Sequence, residues 1–346
     1  MSSIPRVAVL GTGSLGKEHA RIYAELAREG VVEFVGVYDV NPEAARVQAS
    51  KHGVRVFLNV DEAAAAVDAL SVVTPTTTHF TLARALLAQG KHLLVEKPMT
   101  DNAAEAAELV SLAQANRSVL QVGHVERFNP VFTYLEQVAT NPRFIECHRL
   151  SPFPARSTDI GVVLDLMIHD LDVVLAFVKS PLVSVDAVGI PVLSKSEDIA
   201  NARLRFENGC VANLTASRIS PERLRKIRVF SSGAETSYIS LDYRAQEGFI
   251  YRLARSDEPE SSLLQKLMAA QKIIGPRDQT IVSEFAGKRI VREPVPITKD
   301  EPLKRELASF VACVRERQTP RVTGAEAKAA LDVAFEITRQ INASNR

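Results

Sequence analysis

The chain has 346 residues, 46% hydrophobic and 24% charged, the profile of a globular protein too long for one ordinary core. Lys and Arg number 42 against 41 Asp and Glu. The net charge of +1 therefore builds in no long-range attraction for nucleic acid or an anionic membrane. Three widely spaced cysteines, Cys147, Cys210 and Cys313, argue against a disulfide framework and a paired-cysteine metal site.

Residues 1–5 lack the charged region, apolar run and cleavage site of a signal peptide. No stretch approaches the roughly 20 apolar residues that span a bilayer. The expectation is a cytoplasmic protein whose thiols are buried and reduced.

Residues 6–10 form a short apolar strand that ends in a glycine turn, and a helix is predicted from about 17 to 29. The run 32–39, rich in β-branched and aromatic residues, reads as a buried parallel strand. Asn41-Pro42 opens the next helix, with Asn as N-cap and Pro at the first helical position. A short strand at 55–57, a helix from 61 and an apolar strand at 69–73 continue the alternation. A helix over 79–89 ending at Gly90, a strand at 91–95, a helix over 102–115 and a strand at 118–122 complete it. Such alternation predicts a doubly wound parallel sheet for residues 1–122.

Beyond Gly123 the texture changes. One helix is predicted over 161–177, followed by strands at 183–192, 200–206, 210–217, 227–230, 236–241 and 249–253. Turns such as Asn208-Gly209 and Ser232-Gly233 between them suggest antiparallel hairpins. Residues 255–285 read as a peripheral excursion. Two tail helices follow, 303–317 and 325–341, the second opened by a capping box of Thr323 and Glu326. Residues 123–346 are thus expected to form an α+β domain with a largely antiparallel sheet, and the tail helices could pack back on the first domain.

Gly11-Thr12-Gly13-Ser14-Leu15-Gly16 fits the G-x-G-x-x-G pattern of a dinucleotide site. The glycines provide a tight turn, room for a pyrophosphate and close packing of helix on strand. The helix N-terminus offers its free N–H groups to the phosphates. A glycine-rich turn in some other α/β protein would look similar. Here, however, the turn follows a strand, opens a helix, and is followed by Asp39 at the end of the next strand. A carboxylate there accepts from the ribose 2′-hydroxyl and repels a 2′-phosphate. NAD is therefore favoured over NADP, although Arg46 and Lys51 nearby could soften the preference.

Glu96-Lys97-Pro98 follows a strand whose C-terminal end faces the ligand crevice of such a sheet. A lysine there can hold a substrate oxygen and stabilise a growing alkoxide, or it can be a surface residue beside a turn proline. On one helix, Asp165 and His169 share a face at i and i+4, with Asp172 close by. A carboxylate beside an imidazole suits a general base near neutral pH. The same residues could be a surface ion pair, or could converge on a metal. No metal is expected, because hydride removal from an alcohol needs none where Lys and His are present.

Taken jointly, the glycine turn, Thr74-Pro75-Thr76 with His79, Glu96-Lys97-Pro98, Asp165-x-x-x-His169 and the tail Thr319-Pro320-Arg321-Val322-Thr323-Gly324 resemble the glucose–fructose oxidoreductase/inositol dehydrogenase (Gfo/Idh/MocA) family. The resemblance spans nearly the whole chain. It implies a Rossmann domain followed by an α/β domain with a large open sheet used for homodimer or homotetramer contacts. It further implies that Lys97 and His169 are the catalytic pair and that Asp165 lies in the substrate site. Thr74, Pro75, Thr76, His79 and Glu96 would lie beside the nicotinamide and its ribose. Met167 and Asp159-Ile160-Gly161 depart from the small residues and paired glycines common in the family.

The stretches 123–130 and 163–170 resemble a subgroup that oxidises the 3-hydroxyl of UDP-N-acetylglucosamine. A diphosphate substrate calls for cations, and Arg127, Arg149, Arg156 and Arg218 are candidates, with Asn129 a further substrate-side residue. Most arginines of a globular domain are ordinary solvated surface, and that reading is the stronger one for each of these taken singly. The alternatives are a dehydrogenase of a free sugar or inositol, which needs no basic groove, and an NAD-sensing regulator without catalysis, which needs neither Lys97 nor His169.

Overall fold

A computed structural model describes residues 4–153, 160–232, 236–254 and 280–344. The chain divides into two compact units, Met1–Phe128 with Glu301–Val333, and Asn129–Asp300 with Ala334–Arg346.

In the first unit, strands β1 (Arg6–Leu10), β2 (Glu33–Tyr38), β3 (Arg55–Val56), β4 (Ala69–Val72), β5 (His92–Glu96) and β6 (Leu120–Gly123) alternate with helices. The helices are α1 (Gly16–Arg28), α2 (Pro42–His52), α3 (Val60–Ala66), α4 (Thr76–Ala88) and α5 (Ala103–Ala115). All strand pairs are parallel, in the order β3-β2-β1-β4-β5-β6. The order reverses between β1 and β4, the point where an open α/β sheet forms its ligand crevice. Local chemistry sets the boundaries. Asn41 caps α2 by accepting from the N–H groups of Glu43 and Ala44, and Gly53 ends that helix at φ +70°. Helix α4 starts at Thr76 rather than at 79, because Pro75 is pre-set in an extended conformation ahead of it.

A tail helix completes this core. Leu307, Phe310, Val311 and Val314 of α8 (Pro302–Glu316) are buried in one cluster with Tyr23 and Leu26 of α1 and with Val119. Each fully buried side chain of this size contributes about 1.5–3 kcal/mol of transfer free energy, so α8 is integral to the first unit.

The second unit holds helix α6 (Pro130–Val138) and strands β7 (Pro142–Leu150), β8 (Leu182–Ile190), β9 (Ile199–Phe206) and β10 (Val211–Ser217). Strands β11 (Leu224–Ser231), β12 (Ser237–Asp242), β13 (Glu247–Leu253), β14 (Thr280–Phe285) and β15 (Lys288–Pro294) follow. They form a nine-stranded sheet in the order β14-β15-β13-β12-β11-β7-β10-β9-β8, antiparallel except for β7 beside β10. The last helix, α9 (Gly324–Ser344), begins in the first unit and ends in the second, opened by the capping box of Thr323 and Glu326.

Three sequence expectations change here. Residues 280–285 are not part of an excursion but strand β14, joined to β15 by Ala286-Gly287, both at positive φ as a tight hairpin requires. Residues 255–279 lie outside the described residues. Strand β7 is central yet unforeseen, because charged Arg149 alternates with Ile145 and Cys147 on its buried face. Finally, the helix expected over 161–177 is two elements, a π-helical turn at Val163–Met167 and helix α7 at Ile168–Val178, which packs on β7 and β10.

Candidate active site

The glycine turn is shaped by close approach. Gly11 has φ +91°, and a Cβ there would overlap the carbonyl of Val73. A Cβ on Gly16 would land on the carbonyl of Gly11. Gly13 faces open space, and Gly13, Ser14 and Leu15 are exposed. Among the described residues no side chain caps the start of α1, so its first turn is open to an anion.

Asp39, just past β2, accepts from the N–H and hydroxyl of Thr12 at 2.6 and 2.8 Å and from the N–H of Asn41 at 2.8 Å. Burial works to raise its pKa, but the Asn41 and Thr12 donors outweigh it and hold the carboxyl below the usual carboxylate range. An ionised acceptor thus stands fixed beside the turn. A bare pyrophosphate cradle with a pre-positioned carboxylate fits a dinucleotide.

At the end of β5, Glu96 is turned inward. Its Oε1 lies 3.1 Å from Nε2 of buried His19, and a Cβ on Gly123 would come within 2.7 Å of its carboxylate. Lys97 follows, half-buried, with its N–H donating to Glu96 Oε2 at 3.3 Å. Neighbouring His124 is buried; burial first, then the Lys97 charge, lowers its pKa to about 3, so the ring is neutral at pH 7.

His79 is also turned inward. Its Nδ1 lies 2.9 Å from the carbonyl of Pro98 and its Nε2 2.8 Å from that of Thr74. It ties the loop after Lys97 to the start of α4. Thr74 and Pro75 accept from the Thr78 hydroxyl at 2.7 and 2.8 Å. Thr76 is the first residue of α4.

In the second unit, Asp165 lies in the π-helical turn and His169 in the first turn of α7, both half-buried. Such turns widen the helix by one residue and recur at functional sites. Asp172 is buried on α7. The segment is anchored at both ends. At its start, the N–H groups of Val162 and Val163 donate to the carbonyl and carboxylate of Glu197, and Gly161 leaves the space that carboxylate occupies. Beyond His169, buried Asp170 takes a bidentate pair from Arg149 at 3.0 and 2.8 Å, locking α7 to β7.

Three of the four arginines expected on the substrate side are bonded within the framework. Arg149 is spent on Asp170. Arg218 is fully buried on Asp198, Ser194 and the carbonyl of Ile160, each at 2.8 Å. Buried Arg127 donates to the carbonyl of Arg321 and to Glu326. Asn129 caps α6 and donates to the carbonyl of Tyr243. Arg156 lies outside the described residues. Sequence reasoning missed His19, His124, Glu197 and Asp198; the one signal for any of them was His19 at three residues past the last glycine of the turn. Among the described residues no group of three His, Cys, Asp or Glu side chains is placed to hold a metal.

The reversed parallel sheet, the bare glycine turn and the fixed carboxylate define an NAD-binding oxidoreductase. Residues 5–124 match the profile of the oxidoreductase family with an NAD-binding Rossmann fold, and residues 139–235 match its C-terminal domain. The chain belongs to the Gfo/Idh/MocA oxidoreductase family. It is 34% identical over 98% of its length to UDP-N-acetylglucosamine 3-dehydrogenase of Acidithiobacillus ferrooxidans, covering 97% of that protein. A solved structure of the same enzyme matches with a TM-score of 0.83, 33% identity and 99% of each chain covered. Inositol 2-dehydrogenase of Rhizobium meliloti is 28% identical over 55% of this chain and 60% of its own.

Proposed function

We propose that this protein oxidises the 3-hydroxyl of a UDP-N-acetylhexosamine, such as UDP-N-acetylglucosamine, to the 3-keto sugar. The observation that carries the reading is the similarity along 98% of the chain to a UDP-N-acetylglucosamine 3-dehydrogenase, which the partial matches to inositol dehydrogenases do not equal.

Gly11 to Gly16 and Asp39 would hold the pyrophosphate and adenine ribose of NAD, with Thr74, Pro75 and Thr76 toward its nicotinamide end. His79 and Glu96 would act there from below, by fixing the backbone around Lys97. The bound nicotinamide supplies the hydride acceptor. The Lys97 ammonium would donate to the reacting hydroxyl oxygen and stabilise its growing charge. His169 would take the hydroxyl proton, and Asp165 would orient the imidazole. The sugar carbon thereby loses a hydride and its oxygen a proton, leaving a ketone. This assignment requires Lys97 and His169 to meet at one substrate.

Exposed Val188 and Ile190 on β8 support assembly as a homodimer or homotetramer through the open sheet. Gly189 between them packs on Ile341, so these two side chains point to the other face. The stacked Phe230–Tyr238–Tyr251 row lies on the same sheet. Three buried free thiols suit a reducing cytoplasm, and no helix among the described residues is long and apolar enough to cross a membrane.

The test is NADH appearance on mixing protein, NAD and a sugar panel. Turnover with UDP-N-acetylglucosamine but not inositol is expected. Lys97→Met and His169→Ala should each lower it by about 10²–10⁴-fold with NAD binding kept. Near-normal turnover in both variants would remove the catalytic assignment, and silence across the panel with intact NAD binding would favour the sensing role.

A further inference from the structure

A cavity of about 450 Å³ lies in the first unit, far from the glycine turn along the strand direction. It borders the residues that lead into β6, and His92, the first residue of β5, touches its Arg317. The glycine turn and Lys97 sit at the opposite, C-terminal ends of the strands. Five residues of β5 at about 3.3 Å each separate His92 from Lys97 by roughly 15 Å. The cavity is therefore not part of the active site.

Its lining is built for an anion. Arg117 and Arg317 both line it, and neither has a carboxylate partner among the described residues. Each stands at the left-handed position that ends a helix, φ 51° and 57°, where glycine is the unstrained choice. Ser118 lines the same space, and its hydroxyl is buried with no hydrogen-bond partner among the described residues. Gln114 and Gln318 add amide donors at the exposed rim.

The Arg317 contact is itself incomplete. Its Nη1 lies 2.6 Å from His92 Nε2, while the Val119 N–H donates to His92 Nδ1 at 2.8 Å. A neutral imidazole has one acceptor nitrogen, yet two donors face this ring. One N–H too many is presented, and an anion in the cavity would take it. Glu326, the carboxylate at the nearby start of α9, is already spent on Thr323 and Arg127.

We propose that this cavity binds the phosphate group of a small phosphorylated molecule, at a site separate from catalysis. Two guanidinium forks and a hydroxyl match the several oxygens and double charge of a phosphate better than a single carboxylate. The volume exceeds a phosphate ion and falls in the range of small-molecule sites, leaving room for an organic portion against Val110 and Leu120.

The experiment titrates inorganic phosphate into the full chain by calorimetry, with NAD saturating so that the glycine turn is closed to it. Saturable binding is expected, weakened at least tenfold in R117Q/R317Q and several-fold in S118A, with NAD affinity unchanged. Among the described residues Arg117 makes no side-chain bond, so R117Q alone serves if the double variant does not fold. Absence of saturable binding, or wild-type affinity in both the arginine variant and S118A, overturns the proposal.

Discussion

Replacing Arg218 by methionine tests whether the helical turn carrying Asp165 is held from behind. Arg218 is fully buried and donates to Asp198 Oδ1, Ser194 Oγ and the carbonyl of Ile160, each at 2.8 Å. Asp198 also accepts from the N–H groups of Val192, Leu193 and Ser194 at 2.8, 2.6 and 2.9 Å. The pair thus cinches the loop 191–198 whose Glu197 anchors Val162 and Val163. Removing one partner of a buried ion pair costs about 3–5 kcal/mol, because the other charge stays buried. The donors left on Asp198 place R218M near the lower end, about 3 kcal/mol. With a urea m-value of about 2 kcal/mol/M, the midpoint falls by about 1.5 M at constant m. The double variant D198N/R218M leaves no buried charge and should recover part of the loss. Burial works to raise the Asp198 pKa, but the N–H groups and Arg218 hold it well below the usual range, so this contribution persists until strongly acid pH. A loss under about 1 kcal/mol, the worth of an exposed pair, would refute the clamp.

Gly16→Ala drives a methyl onto the Gly11 carbonyl; overpacking of this kind costs about 1–3 kcal/mol, and thermal unfolding with an NAD titration should show lower stability and at least tenfold weaker binding. Asp39→Ser removes the fixed acceptor beside the glycine turn, and the ratio of kcat/KM for NAD over NADP should fall at least tenfold. Acid stability should depend on His92. Burial, aided by the Arg317 charge, lowers its pKa to about 4 from 6.5, so between those pH values the unfolded chain binds a proton that the fold refuses. Stability is lost as pH falls through that window, by about 3 kcal/mol at pH 4, and denaturant midpoints of His92→Gln against pH should show a flatter decline.

Periodicity and glycine spacing determined the first unit. The six parallel strands, the Asn41 and Thr323 caps, the G-x-G-x-x-G turn and Asp39 depend on residues near one another in sequence, and each appears within a residue or two of its expected place. Lys97 at the end of β5 was legible for the same reason. Only tertiary structure decided that α8 belongs to the first core, that β7 runs through the middle of the second sheet, and that β14 forms one edge of it. It also decided the fate of the arginines. Sequence marks a guanidinium as a candidate for phosphate. Whether the charge meets a carboxylate, as Arg149 meets Asp170 and Arg218 meets Asp198, depends on residues 21 and 20 positions away brought together by the sheet. A charge is buried or free according to its partners in space, and that pairing is not written in any local pattern.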